Sequence, residues 1–175
     1  HKIDLTYLTQ FGAQSFSFDL SYDSGRLAKG ELGKGWYHGY EKKIVEAEGY
    51  LRYYTTPSTF VDFTPGEAGI YSNSLPGKQN WTITTVSGGG YLVKLGAAGQ
   101  EKYNSEGQLT QIINHTGRTL NITRTAQTMT ITEPITGKTL LLTYDSQGYV
   151  TRVQGAAPSG TGTVSLSYNA NRCLA

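Results

Sequence analysis

YNSEGQLTQI at 103–112 and YDSQGYVTRV at 144–153 are one phrase written twice, and YNANRCLA at 168–175 begins it a third time. Asn104 and Asp145 each open a type I turn, and Gly107 and Gly148 stand where such a turn needs positive φ. A turn of this kind joins two antiparallel strands. Tyr103 and Tyr144 therefore end one strand, and Leu109–Ile112 and Val150–Val153 are the returning ones. Tyr168 and Asn169 take the same two places in the third copy.

The residues before each phrase alternate as a half-buried strand does. Leu140, Leu142 and Tyr144 share one face, as do Val164, Leu166 and Tyr168. TGRTLNITR (116–124) has the same form one unit earlier, with Arg124 where Tyr is expected. Asn114-His115-Thr116-Gly117 is a further turn, and Gly137 marks another. The unit is thus strand, turn, strand, turn: position 124 follows Tyr103 by 21, Tyr144 follows by 20 and Tyr168 by 24. The longest step carries GAAPSGTG (155–162), which reads as a loop insertion. An ordinary β-sandwich is the competing reading. The joint recurrence of Tyr, Asn or Asp, Gly and Thr at fixed offsets argues for repeats.

The first 102 residues are less regular but strand-like. SFSFDLSYDSG (15–25) places Phe16, Phe18, Leu20 and Tyr22 on one face before a turn. YEKKIVEAE (40–48) has helical charge spacing, yet Gly49 and the β-rich YLRYYT follow at once, so a hairpin strand is expected. Residues 69–95 read as two or three strands with Gly-rich turns. No linker separates 1–102 from the repeats at 103–175, so one continuous β structure is expected. With 22 Gly and 13 Tyr, long helices have little room, and the fold class is all-β: hairpin repeats in a curved, meandering sheet.

Composition limits the function. A net charge of +2 with scattered Lys and Arg lacks the concentrated basic face that nucleic acid requires. No apolar run is long enough for a membrane span. One cysteine, Cys173, excludes an internal disulfide and a multi-cysteine zinc site. The chain starts at His1 and stops inside a repeat, which leads us to expect a segment of a longer array.

Catalytic motifs are missing. His38 and His115 read as packing or surface residues, and no G-x-S-x-G seats a serine nucleophile. Gly137-Lys138-Thr139 resembles the tail of a phosphate loop, but Thr132 replaces its first Gly and the repeat turn explains it better. Gly88-Gly89-Gly90 opens no helix, so it is a turn and no dinucleotide fingerprint. Asp62, Glu41 and Glu46 have no evident partners, Asp145 is a turn opener, and Cys173 lacks an activating base. The sequons at Asn80, Asn114 and Asn121 are what a Thr-rich chain produces by chance. No catalytic residue, cofactor or metal is assigned.

Together, the LGKGWYHGYE stretch (32–41) and the Y-D-x-x-G-x-V-T-x-V phrase resemble the start of an RHS (rearrangement hotspot) or YD-repeat protein, over roughly residues 15–175. The resemblance implies a strip of hairpins spiralling into a hollow shell around a C-terminal toxic domain. It also implies export, to the cell surface or beyond, with the rest of the parent chain as partner. Arg124 and Arg172 depart from the pattern, at a Tyr and a turn Gly respectively. The alternative is a carbohydrate- or cell-surface-binding module in which Trp36, Tyr37, Tyr40, Tyr53 and Trp81 stack on sugar rings.

Overall fold

The structure is a computed structural model that describes residues 2–11, 14–25, 29–157 and 160–174, with the backbone alone for 2–11, 14–16 and 157. The fold is all-β, as the composition implies, with short 3-10 turns at Glu67–Gly69 and Gly96–Ala98. Among the described residues no helix is long and apolar enough to cross a membrane.

The strands in chain order begin with β1 (Lys2–Phe11), β2 (Gln14–Tyr22), β3 (Lys29–Gly30), β4 (Gly33–Lys34) and β5 (Trp36–Tyr37). Then follow β6 (Lys43–Ala47), β7 (Tyr50–Thr56), β8 (Thr59–Pro65), β9 (Ile70–Ser72), β10 (Trp81–Thr85), β11 (Tyr91–Leu95), β12 (Gln100–Tyr103) and β13 (Leu109–Ile113). The last are β14 (Thr119–Arg124), β15 (Thr128–Thr132), β16 (Thr139–Tyr144), β17 (Val150–Ala157) and β18 (Gly160–Ser165). From β6 to β18 they pair in chain order in one 13-stranded antiparallel sheet. β1, β2 and β5 form a separate sheet, and β3 pairs with β4.

Two compact units divide the chain: His1–Glu41 with Ile122–Ala175, and Lys42–Asn121. This division cuts across the sequence boundary at 102/103, because residues 1–41 pack with the later repeats. The core of the first unit includes Phe18, Leu20, Ile122, Met129, Ile131, Leu140, Leu142 and Val150. That of the second includes Ile44, Leu51, Tyr53, Val61, Phe63, Ile83, Val93, Tyr103 and Leu109. Each set follows the parity of its strands, as a sheet with one buried face requires.

The repeated turns share one geometry. In 104–107 the Gly107 N–H donates to the Asn104 carbonyl at 3.0 Å, and the Asn104 N–H to the Gln108 carbonyl at 3.0 Å. The side-chain oxygen of Asn104 then accepts the N–H groups of Glu106 (3.1 Å) and Gln108 (2.8 Å). Asp145 takes Gln147 and Tyr149 in the same way, Asn114 takes Thr116 and Arg118, and Asn169 takes Asn171 and Cys173. The bond ladder slips by one residue between Lys102 and Tyr103 and again between Thr143 and Tyr144, the bulge that accompanies a type I turn with a left-handed residue. That residue is Gly107 (φ 73°), Gly117 (81°), Gly148 (81°) and, in the last copy, Arg172 (59°). Glu133 performs the same task in a loop one residue longer. Its longer carboxylate reaches the N–H groups of Ile135 (3.1 Å) and Thr136 (2.6 Å).

The segment 40–48 is a strand, β6, hairpinned to β7 as expected. Residues 69–95 hold three strands. Two local expectations are corrected. GAAPSGTG is largely strand, because β17 and β18 keep pairing through Gly155↔Gly162, Ala156↔Thr161 and Ala157↔Gly160; Pro158 and Ser159 lie outside the described residues. Tyr22 leaves the buried face set by Phe18 and Leu20: it is exposed and lies against Trp36, with ring centroids 4.9 Å apart. The side chain of Phe16, the fourth member of that row, lies outside the described residues.

Candidate functional site

The most concentrated chemistry in the first unit surrounds Glu31, in the turn between β3 and β4. Its Oε2 accepts from the Tyr144 hydroxyl at 2.6 Å and from His38 Nε2 at 3.0 Å, and its Oε1 accepts from an Arg124 guanidinium nitrogen at 2.9 Å. The other terminal nitrogen of Arg124 donates to the Tyr40 carbonyl at 3.0 Å. Thus the Arg that replaces a repeat Tyr and the Tyr of the next repeat meet on one carboxylate.

His38 is fully buried, and both ring nitrogens are engaged. Nδ1 lies 3.2 Å from the N–H of Tyr40, and Nε2 makes its hydrogen bond with the Glu31 carboxylate. Glu41, buried beside them, accepts the backbone N–H groups of Glu31 (2.9 Å) and His38 (3.0 Å), one on each oxygen. Burial pushes the Glu31 carboxyl up, but the His38 hydrogen bond, the Arg124 guanidinium and the Tyr144 hydroxyl outweigh it and lower its pKa to about 2. Glu41 moves the other way, raised chiefly by burial and further by the charge of Glu31. Burial first, and then the neighbouring Glu31 charge, raise the Tyr144 hydroxyl.

A matching arrangement occurs in the second unit. Glu101 stands on the buried face of β12 and is 2 % exposed at its side chain. It accepts from the hydroxyls of Tyr53 (2.7 Å) and Tyr103 (2.6 Å) and pairs with the Lys42 ammonium. Burial, and then the Glu101 charge, raise both phenols well above their ordinary range.

Neither cluster offers a free nucleophile or a base aimed at a cleft. The carboxylate oxygens are occupied by protein donors, and the one buried side-chain polar atom without a partner among the described residues is Arg124 Nε. Both clusters are cross-links that hold a repeat tyrosine by its hydroxyl. Among the described residues no group of three or more His, Cys, Asp or Glu is placed to hold a metal.

The repeat positions occupy the turn geometry described above, with Gly137 closing the longer Glu133 loop at φ 68°. Tyr168 donates to the Val150 carbonyl at 2.6 Å and stacks near Tyr149, centroids 5.2 Å apart. The five candidate sugar-stacking rings are not assembled. Tyr40 and Tyr53 are buried, so neither has a face for a ligand: Tyr40 donates to the Ser17 carbonyl, and Tyr53 is wedged edge-on against Phe63, Trp81 and Tyr103. Trp36 and Tyr37 are half-buried on β5. Trp81 is half-buried on β10, in the other unit, and carries the Lys78 ammonium 4.6 Å from its ring.

The carboxylates judged partnerless in sequence have partners. Asp62 forms a two-pronged pair with Arg52 at 2.7 and 2.8 Å, Glu46 accepts from Tyr91 at 3.4 Å, and Glu41 lies in the Glu31 cluster. Glu31 and Glu101 escaped notice. For Glu101 a signal existed: it shares strand parity with Tyr103, so burying one buries the other.

Compared with protein-family models, the chain matches none, and no curated protein matches it in sequence.

Proposed function

We propose that this chain is a non-catalytic structural segment of a YD-repeat shell, which encloses or displays an effector domain carried by the same parent protein. The observation that carries the reading is the recurrence of one turn at 104–107, 114–117, 145–148 and 169–172, with a single side-chain oxygen closing each. A chain that spends its sequence on repeated hairpins gains extended sheet. The buried carboxylates fit that role, because they tie repeat tyrosines to other strands and leave no group open to a substrate. The partner is then the remainder of the parent chain, and the setting is secretion or the cell surface.

Limited proteolysis of the parent protein, followed by mass analysis, tests the reading. The effector segment should resist protease until the repeats unfold. Free cleavage of that segment while the repeats stay folded would refute enclosure.

A further inference from the structure

We propose that the second unit carries a binding cleft for an acidic sugar, lined by none of the five aromatic candidates considered above. A concavity of about 570 Å³ opens at the β11–β12 corner and the 114–117 turn, within the range that takes a small ligand. Its floor is built by glycine. A Cβ on Gly96 would lie 2.2 Å from Asn80 Nδ2, and one on Gly99 would lie 2.2 Å from the Ile113 carbonyl oxygen. At Gly99 backbone therefore approaches backbone, and at Gly96 the Asn80 side chain occupies the place a Cβ would take.

The polar side chains lining it are those of Asn80, Lys94, Gln100, His115 and Asn114, the last with its oxygen taken up by its own turn, and no Asp or Glu lines the cleft. Lys94 and Gln100 are directly opposed across β11 and β12, which places them on the same face of the sheet. Glu101, one residue along, points to the buried side and puts no negative charge here. Lys94 is exposed and makes no ion pair among the described residues. An unneutralised ammonium answers a carboxylate or sulfate, while amides that both donate and accept answer adjacent hydroxyls. A sugar that bears an acid group presents both.

The test is titration of the intact chain with a uronate-containing disaccharide, a neutral disaccharide and inorganic sulfate, followed by amide chemical shifts near physiological salt. The acidic disaccharide should saturate and shift the amides of 94–100 and 114–117, and the neutral one should not. Lys94→Gln and His115→Gln, both at exposed positions, should each weaken binding about tenfold. Lys43→Ala, a cation on β6 outside the cleft, should leave it unchanged. Equal binding of the neutral sugar, no saturation at all, or full affinity in a folded Lys94→Gln variant overturns the proposal. Sulfate matching the disaccharide would reduce the site to an anion site and remove the sugar.

Discussion

Tyr144 donates its hydroxyl to Oε2 of Glu31 at 2.6 Å, across 113 positions of sequence. The bond joins the end of a repeat strand to a turn before the repeats, and its acceptor is a carboxylate held ionised. Tyr144→Phe should therefore destabilise the chain by about 2 kcal/mol, the range of hydrogen bonds to charged groups. Tyr22→Phe, on an exposed ring, should stay within about 0.5 kcal/mol. Urea unfolding of the two variants makes the comparison, and equal losses would mean the Tyr144 bond contributes nothing special.

Glycine at two equivalent turn positions should not be equally replaceable. Gly148 (φ 81°) faces open space, whereas a Cβ on Gly107 (φ 73°) would lie 1.9 Å from the Ile44 carbonyl oxygen. Gly148→Ala carries only the left-handed strain, about 1–2 kcal/mol, and Gly148→Val, being β-branched, more. Gly107→Ala must also displace the β6 backbone, and the 2.9 Å bond from the Ile44 N–H to the Gly107 carbonyl goes with it. Its midpoint should fall clearly below that of Gly148→Ala; the reverse order would contradict the close approach of the β6 backbone to Gly107.

Glu31 makes stability depend on acid. Its pKa falls from 4.5 to about 2 on folding, so its contribution is complete above pH 4.5 and is lost as pH drops toward 2. The full effect is about 3 kcal/mol. Glu41, raised by burial, acts oppositely: its cost appears as pH rises above 4.5. The stability difference between wild type and Glu31→Gln should grow from pH 2 to 4.5 and then level off. A difference that stays constant over that range would remove the ionisation of Glu31 from the account.

In the second unit Glu101→Ala leaves two buried phenol hydroxyls without their acceptor, for a loss of about 3 kcal/mol. Glu101→Gln keeps an amide oxygen and should lose roughly half as much. Thermal melts of the pair, with Tyr103→Phe alongside, measure this. If Ala and Gln prove alike, the hydroxyl bonds are not what Glu101 supplies.

The turns were legible because their chemistry is local: an Asn or Asp followed three residues later by Gly is enough to specify 104–107, 114–117 and 145–148. The strand β6 was legible because Gly49 leaves no room for a helix after 48. The Glu31 cluster was not, since its partners lie 93 and 113 positions away and nothing near Glu31 announces them. Arg124 looked like a lapse in the repeat. It keeps the place of the missing Tyr and reaches the same carboxylate that Tyr144 uses. Tyr40 and Tyr53 read as display rings because composition does not separate a buried aromatic from an exposed one; in the fold Tyr53 shares the buried parity of Leu51 on β7. The extended β17–β18 hairpin was hidden by small residues, which carry little period-two signal.

During synthesis, residues 1–41 emerge long before the residues they pack against. At roughly ten residues per second, Glu31 and His38 wait on the order of ten seconds for Tyr144 to leave the ribosome. The stretch 42–121 pairs its strands in chain order and needs nothing made later. The strands of 42–121 can thus pair while Glu31 and His38 still lack Tyr144 and Arg124, and those two polar side chains are what a chaperone would have to shield in the meantime.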